Sequence, residues 1–130
     1  MTSSKEKSRR GDIMYLYIAR ANIDHYISIL NTDGLLTCDS ITIIKLLAAE
    51  IDKLCDDLDL EQIEFVESRT ASGRDRVNSV QTLRDSYAVG TVEREQADQL
   101  LRHLENVQTL LEYSCRRMRE KTSSRPLRTP

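Results

Sequence analysis

One stretch of the sequence decides the fold, T91-V-E-R-E-Q-A-D-Q-L-L-R-H-L-E-N-V-Q-T-L-L-E-Y-S-C-R-R-M118. Its apolar residues recur at seven-residue intervals in two rows, and neighbouring leucines widen the stripe that these rows form. This spacing is typical of an α-helix that buries one narrow face against other helices. No side chains along it have the arrangement of a catalytic site, so the stretch predicts architecture rather than activity. The rows are Ala97, Leu104, Leu111 and Met118, then Leu100 and Val107, with Leu101 and Leu110 beside them.

The composition of the 130-residue chain favours long helices over a sheet. Gly (4) and Pro (2), which interrupt helices, are scarce, and 31% of the residues are charged. No apolar run is long enough to cross a membrane, because Arg20 and Asp24 interrupt the most apolar segment, residues 13–30. The N-terminus lacks a cleavable export signal and the cysteines form no CxxC pair. We therefore expect a cytoplasmic protein with reduced thiols.

The charge of the chain is unevenly distributed. Residues 1–10 carry four basic side chains and one acidic side chain, and residues 116–130 carry six and one. The body between them holds nine basic against nineteen acidic side chains. Polar, basic ends of this kind predict disordered tails, which we place at residues 1–10 and 122–130, around a helical domain at residues 11–121.

Two amphipathic segments predict a first antiparallel helical hairpin over residues 11–58. We expect its first helix to begin at Asp12 and its second at Asp39 or Ser40, because such residues cap helices. The turn between them contains Gly34, which can end a helix. Neither helix can bury its apolar stripe alone, so a short connection indicates that the two pack together. The stripes are Ile13, Leu16, Ile23, Ile27 and Leu30, then Ile44, Leu47, Ile51, Leu54 and Leu58.

A second hairpin is predicted over residues 59–121. We expect Asp59 to cap its first helix and Thr91 to cap its second. The first of these helices has Thr70 and Gly73 in its middle, where Gly costs about 1 kcal/mol relative to Ala. We expect one long helix that is weakened there, with a complete break as the alternative. The two hairpins in tandem predict an all-α protein, either a four-helix bundle or an elongated coiled-coil domain.

Four short segments carry a likeness to known proteins. They are R20-A-N-I-D-H-Y26 and L46-L-A-A-E-I-D-K-L54 in the first hairpin, and G73-R-D-R-V77 and G90-T-V-E-R-E-Q-A-D-Q-L-L101 in the second. Each hairpin resembles a group of small bacterial helical-hairpin proteins of unknown function, and the likeness covers roughly residues 18–119. The second group has an acidic residue where this chain has Gly90. The resemblance implies a helical-hairpin fold in a bacterial cytosol and carries over no catalytic residue.

The sequence contains no constellation typical of an enzyme, a metal site or a cofactor site. The two histidines, His25 and His103, lack the neighbours of a phosphoacceptor, and the Glu-x-x-His pairs of a di-iron bundle are missing. The acidic stretch from Asp57 begins like a calcium loop but has Gln62 in place of Gly and Ser68 in place of Glu. We therefore expect no catalytic activity, no metal and no cofactor.

The apolar residues of the first helix predict a surface for another protein. They are more numerous than a single partner helix can cover, so the surplus must meet the second hairpin or another chain. We expect a non-enzymatic interaction or regulatory module, with a second copy of the chain, in a homodimer, as one candidate partner. The predicted interface consists of Met14, Tyr15, Tyr17, Ile18, Tyr26 and Ile29.

The alternative function is association with nucleic acid through the basic tails. Basic residues near the end of a helix also complement its dipole, a structural role worth about 0.3–1 kcal/mol per charge. No aromatic platform accompanies them, which disfavours binding of single-stranded nucleic acid. The candidate anion contacts are Arg116, Arg117, Arg119 and Lys121.

One charged residue, Arg20, lies in the apolar stripe of the first helix. A hairpin folded about residues 35–37 brings it opposite residues 50–57, which contain four carboxylates. We predict an ion pair with one of them, first of all Glu50. The alternative is an arginine that extends into water without a fixed partner.

Overall fold

Four α-helices make up the described part of the chain. The computed structural model describes residues 2–32, 37–57 and 59–124. No strand occurs among these residues, so the all-α prediction is confirmed. Helix α1 spans Thr2–Leu30, α2 spans Thr37–Asp57, α3 spans Leu60–Ser86 and α4 spans Val92–Ser124.

The second hairpin begins and turns where its capping residues predict. Asp59 is the N-cap of α3, although its side chain makes no capping hydrogen bond. Thr91 precedes α4, and its Oγ1 accepts a hydrogen bond from the backbone N–H of Arg94 at 3.2 Å. Helix α3 runs through Thr70 and Gly73 without a break, so the continuous helix is confirmed over the complete break.

The first two helices begin earlier than the sequence predicts. Helix α1 begins at Thr2 rather than at Asp12, and α2 begins at Thr37 rather than at Asp39 or Ser40. Five of residues 2–10 are Lys, Arg or Glu, residue types with good helix propensity. Helix α1 extends into the predicted N-terminal tail, residues 1–10, and α4 extends into the predicted C-terminal tail, residues 122–130. The division into a domain and two tails stays a prediction. The turn with Gly34 and residues 125–130 lie outside the described residues.

The helices form two antiparallel hairpins that pack side by side. Helix α1 pairs with α2, α3 pairs most extensively with α4, and both helices of the second hairpin also contact α2. Arg20 bonds to Gln62, and Asp24 bonds to Arg69, so α1 and α3 run in the same direction. The arrangement is that of a four-helix bundle, in which each helix covers the apolar stripes of its neighbours.

The first hairpin covers only part of the second. The side chain of Arg76 contacts the carbonyl of Asn31, directly after the end of α1. Residues 77–104, which we call the tip, therefore lie beyond the end of α1 at Leu30. Val80, Leu100, Leu101 and Leu104 form a separate cluster there, the tip cluster. The bundle core, shared by all four helices, consists of Ala19, Ile23, Leu30, Leu47, Ile51, Leu54, Cys55, Ile63, Val66, Val107, Leu111 and Met118.

Candidate functional site

Exposed apolar side chains are concentrated on α1. Met14, Tyr15, Tyr17 and Ile18 are 66%, 50%, 70% and 55% exposed, and we call these four the α1 patch. The predicted interface also included Tyr26, which is half-buried and packs against the bundle core. Its sixth member, Ile29, is half-buried as well. The second hairpin thus leaves most of the predicted surface accessible.

Helix α2 extends this surface with Leu46, which is 46% exposed. Leu46 shares one side of α2 with Glu50 and Lys53, four and seven residues further along. Both of these side chains reach α1. Glu50 accepts a hydrogen bond from Asn22 at 3.3 Å, and the Lys53 ammonium lies 5.1 Å from the centre of the Tyr15 ring. The α1 patch and Leu46 together form what we call the outer face of the first hairpin.

Leu46 was not among the predicted interface residues, although the sequence contains a signal for its exposure. An apolar residue that lies outside the buried stripe of its own helix is a candidate for a contact elsewhere. Leu46 directly precedes Leu47, which is fully buried, and therefore points away from the core.

Two charged residues beside the outer face, Glu50 and Lys53, are paired with each other. The ammonium of Lys53 lies 3.0 Å from a carboxylate oxygen of Glu50, one turn earlier in α2. This hydrogen bond raises the pKa of Lys53. Glu50 itself is nearly buried, at 9% exposure, so its charge is directed at Lys53 and Asn22 rather than at solvent.

Arg20 contacts α3, and the predicted ion pair with Glu50 is wrong. Its Nε donates to Gln62 Oε1 at 2.9 Å, and its Nη2 lies 3.2 Å from Glu61 Oε1. The guanidinium also lies 5.3 Å from the centre of the Phe65 ring. The prediction considered only the carboxylates of α2, whereas Arg20 is on the side of α1 that faces α3.

Asp24 is bound by α3 in the same way. Arg69 donates two hydrogen bonds to it, Nε to Oδ1 at 2.7 Å and Nη2 to Oδ2 at 2.9 Å. The same guanidinium lies 4.1 Å from the centre of the Phe65 ring. Arg20 and Asp24 are the only formal charges in residues 14–30, so α3 pairs both of them.

The basic residues at the end of α4 are divided between two sides of the helix. Arg117 donates to Asp52 of α2 at 2.9 Å, and Arg119 forms an ion pair with Glu67 of α3 at 2.9 Å. The other two predicted anion contacts lie on these same two sides. Arg116 lines a groove between α3 and α4, and Lys121 acts electrostatically on Cys55 of α2.

The groove between α3 and α4 has a volume of about 850 Å³. Two ion pairs of opposite polarity cross it, Arg74 of α3 with Glu112 of α4, and Glu67 of α3 with Arg119 of α4. The hydrogen bond from Arg74 lowers the pKa of Glu112, so this carboxylate stays ionised and is a poor general acid. The groove was not predicted from the sequence. Its signal is that Glu67 and Arg74 are seven residues apart, as are Glu112 and Arg119, so each pair of charges lies on one side of its helix.

The remaining candidate residues are dispersed. His25 is exposed on α1, whereas His103 is buried in α4, where burial and the charge of Arg102 lower its pKa. No group of His, Cys, Asp or Glu side chains suited to a metal ion occurs within residues 2–32, 37–57 and 59–124. The three cysteines are free: Cys38 is exposed, Cys115 is half-buried and Cys55 is buried.

Comparisons with protein-family models, with curated proteins and with solved structures found no match to this chain. The resemblance to bacterial helical-hairpin proteins therefore stays a prediction, as does the cytoplasmic location. Among the described helices, none combines the length and the apolar character that crossing a membrane requires.

Proposed function

We propose that this protein is a non-enzymatic helical module that binds a protein partner through the outer face of its first hairpin. The observation that carries the proposal is a contrast within α1. In a chain of which 31% is charged, the α1 patch is apolar and both formal charges of residues 14–30 are paired with α3. An accessible surface that lacks free charge is poorly suited to water and well suited to another protein.

The size of the outer face supports the same proposal. A large side chain exposes roughly 150–250 Å² when free, so the α1 patch and Leu46 leave on the order of 500 Å² accessible. The largest apolar patch on a typical monomer covers about 300–600 Å² and is often functional. The outer face therefore has the area of an interaction site rather than of scattered surface residues.

The nucleic-acid hypothesis has less support. A phosphate contact needs a cation that is free to displace counterions. Arg117 and Arg119 are held by Asp52 and Glu67, so each would have to exchange an existing ion pair for a phosphate. An enzymatic function lacks a supporting arrangement of side chains among the residues that the structure describes.

Capture by an immobilised chain tests the proposal. We expect the wild-type protein to retain partner proteins, including untagged copies of itself, and the variant Ile18→Glu to lose them. The matched control is Leu83→Glu, because Leu83 is an apolar helix residue of similar exposure, 47% against 55%, that lies on the tip. Partners that bind wild type and both variants equally would contradict the proposal, and so would loss with Leu83→Glu alone.

A further inference from the structure

A row of residues along the outward side of α1 is nearly symmetrical about its own midpoint. Its members are separated by four, three, four and four residues, which keeps them on one side of a helix. The midpoint falls between Ala21 and Asn22, and the large side chains lie toward both ends. The row consists of Met14, Ile18, Ala21, His25 and Ile29.

Such a row is complementary to a second copy of itself. In a two-fold interface, residue i of one copy contacts residue j of the other, and j contacts i. If two α1 helices cross antiparallel at this midpoint, Met14 meets Ile29 of the second copy, and Ile18 meets its His25. The small, exposed side chain of Ala21 lies beside the axis, where the two helix backbones must approach closely.

The distribution of charge favours an identical partner. A surface that carries unpaired charges of one sign repels its own copy and selects a partner of opposite sign. The row contains no Asp, Glu, Lys or Arg, and the adjacent Arg20 and Asp24 are bound to α3. Two copies of this surface meet without like-charge repulsion, and nothing in the row selects an acidic or a basic partner.

The accessible area is close to what a dimer needs. A stable interface buries about 800 Å² on each partner, of which somewhat more than half is apolar. The outer face supplies on the order of 500 Å² of exposed large side chains. The half-buried Tyr26 and Ile29, together with polar side chains around the row, add to this area.

We infer that the outer face binds a second copy of this chain, with the two α1 helices antiparallel and a two-fold axis between Ala21 and Asn22. This inference rests on the proposed function and names its partner. In the dimer the α1 patch leaves water, and the tips of the two copies lie away from the contact.

Light scattering of the full chain measures the association directly. We expect a mass near 15.0 kDa at low micromolar concentration, rising toward twice that value as the concentration increases. Ile18→Glu should weaken the dimer roughly a hundredfold, because the substitution places a charge in the contact twice. Leu83→Glu should dimerise like wild type. Circular dichroism of each variant verifies that it is folded.

Cross-linking tests whether Ala21 lies beside the axis. Ala21→Cys in a Cys38→Ser background places one accessible thiol per chain beside the axis, and a short bifunctional maleimide should join two copies. Leu83→Cys in the same background is the control and should give no excess over the Cys38→Ser parent, which retains Cys55 and Cys115.

The outcomes separate the inference from the proposed function. A chain that stays monomeric at every concentration overturns the inference, and the capture experiment still decides the proposed function. A dimer that Ile18→Glu leaves intact also overturns the inference, because the outer face is then not its contact, and the capture experiment again decides the proposed function. A dimer that Ile18→Glu dissociates, but that Ala21→Cys fails to cross-link, overturns the two-fold arrangement.

Discussion

The bundle core and the tip cluster use the same two helices, α3 and α4, yet they are packed differently. Most side chains of the bundle core are 0–1% exposed, with Ile63 and Val107 at 7% and 5%, whereas the four side chains of the tip cluster are 2–6% exposed. The difference arises because α1 and α2 close the core from the other side, whereas no residue of 2–32 or 37–57 belongs to the tip cluster. The apolar stripe of α4 is therefore continuous, but part of it lies in the tip cluster and part in the bundle core.

Polar contacts join the two helices of the tip. Arg94 donates to the backbone carbonyl of Tyr87 at 3.1 Å, which ties the start of α4 to the end of α3. Arg84 lies 3.7 Å from Asp98 across the two helices. Two helices alone bury too little to hold a core, so the turn that joins them matters. We expect the tip to open before the bundle does.

The largest expected effect compares one substitution in the two regions. Leu47→Ala removes a fully buried side chain from a core that four helices close, and it should cost about 3–5 kcal/mol of the free energy of unfolding. Leu100→Ala should cost about 2–3 kcal/mol, because a cluster of two helices can collapse more fully around the missing side chain. Urea unfolding of both variants measures the difference. Equal losses would mean that the tip is as tightly packed as the bundle.

The boundary between the two regions lies near Gly73, where a smaller effect is expected. The Gln108 side chain crosses over Gly73, in the space that a Cβ would occupy, and its Nε2 donates to the carbonyl of Thr70 at 2.9 Å. Gly73→Ala should therefore cost about 1 kcal/mol, because the Gln108 side chain must move and give up this hydrogen bond.

A second background isolates this cause. With Gln108→Ala already present, the space is free, and Gly73→Ala should instead stabilise α3 by up to about 1 kcal/mol through its better helix propensity. Urea unfolding of the four proteins gives both values. The same sign in both backgrounds would show that Gln108 is not the reason for the glycine.

The turn of the tip offers an effect of similar size that packing cannot explain. Gly90 has φ = 87°, in the left-handed region, and an added Cβ would meet nothing within 4 Å. Gly90→Ala should cost about 1 kcal/mol from backbone conformation alone. Gly90→Asn is the matched control, because Asn tolerates this region better, and its loss in thermal unfolding should be smaller. A larger loss for Asn would contradict the conformational explanation.

The smallest effect concerns pH at His103, where α4 leaves the tip and enters the bundle. Its folded pKa lies below the ordinary value of 6.5 because burial disfavours the charged ring. The unfolded chain then binds the proton at a higher pH than the folded chain does. Stability is therefore lost as the pH falls below about 6.5 and is retained above it. His103→Gln should make this decline shallower in urea titrations at several pH values, and an unchanged decline would assign it to other groups.

The sequence predicts those parts of the fold that depend on local chemistry. The division into hairpins, the start of α3 after Asp59 and the cap at Thr91 all follow from apolar spacing and from residues that begin or end helices. The position of the tip beyond the end of α1 does not follow from them. The row from Ala97 to Met118 keeps the same seven-residue spacing along its whole length. This spacing does not specify how many helices pack against each residue of the row.

The candidate site could be predicted in the same partial way. The surplus of apolar residues on α1 is a count along one helix, and four of the six residues that it selected are exposed. The partner of Arg20 depends on which side of α1 faces α3, which is a property of the assembled bundle. For the same reason the sequence does not indicate that Glu61 is the carboxylate that pairs with Arg20, although the stretch around Glu61 is visibly acidic.

The two ion pairs that cross the groove help to fix the register of α4 against α3, which the apolar rows alone leave open. A pattern with a period of seven residues is unchanged by a shift of seven, so apolar rows alone allow several alignments of α4 on α3. A slip of one repeat in one direction would set Glu67 against Glu112, and a slip in the other would set Arg74 against Arg119. Each exposed pair is worth only about 0–1 kcal/mol. The two pairs nevertheless favour one alignment, because the slipped alignments bury nearly the same apolar surface but bring like charges together.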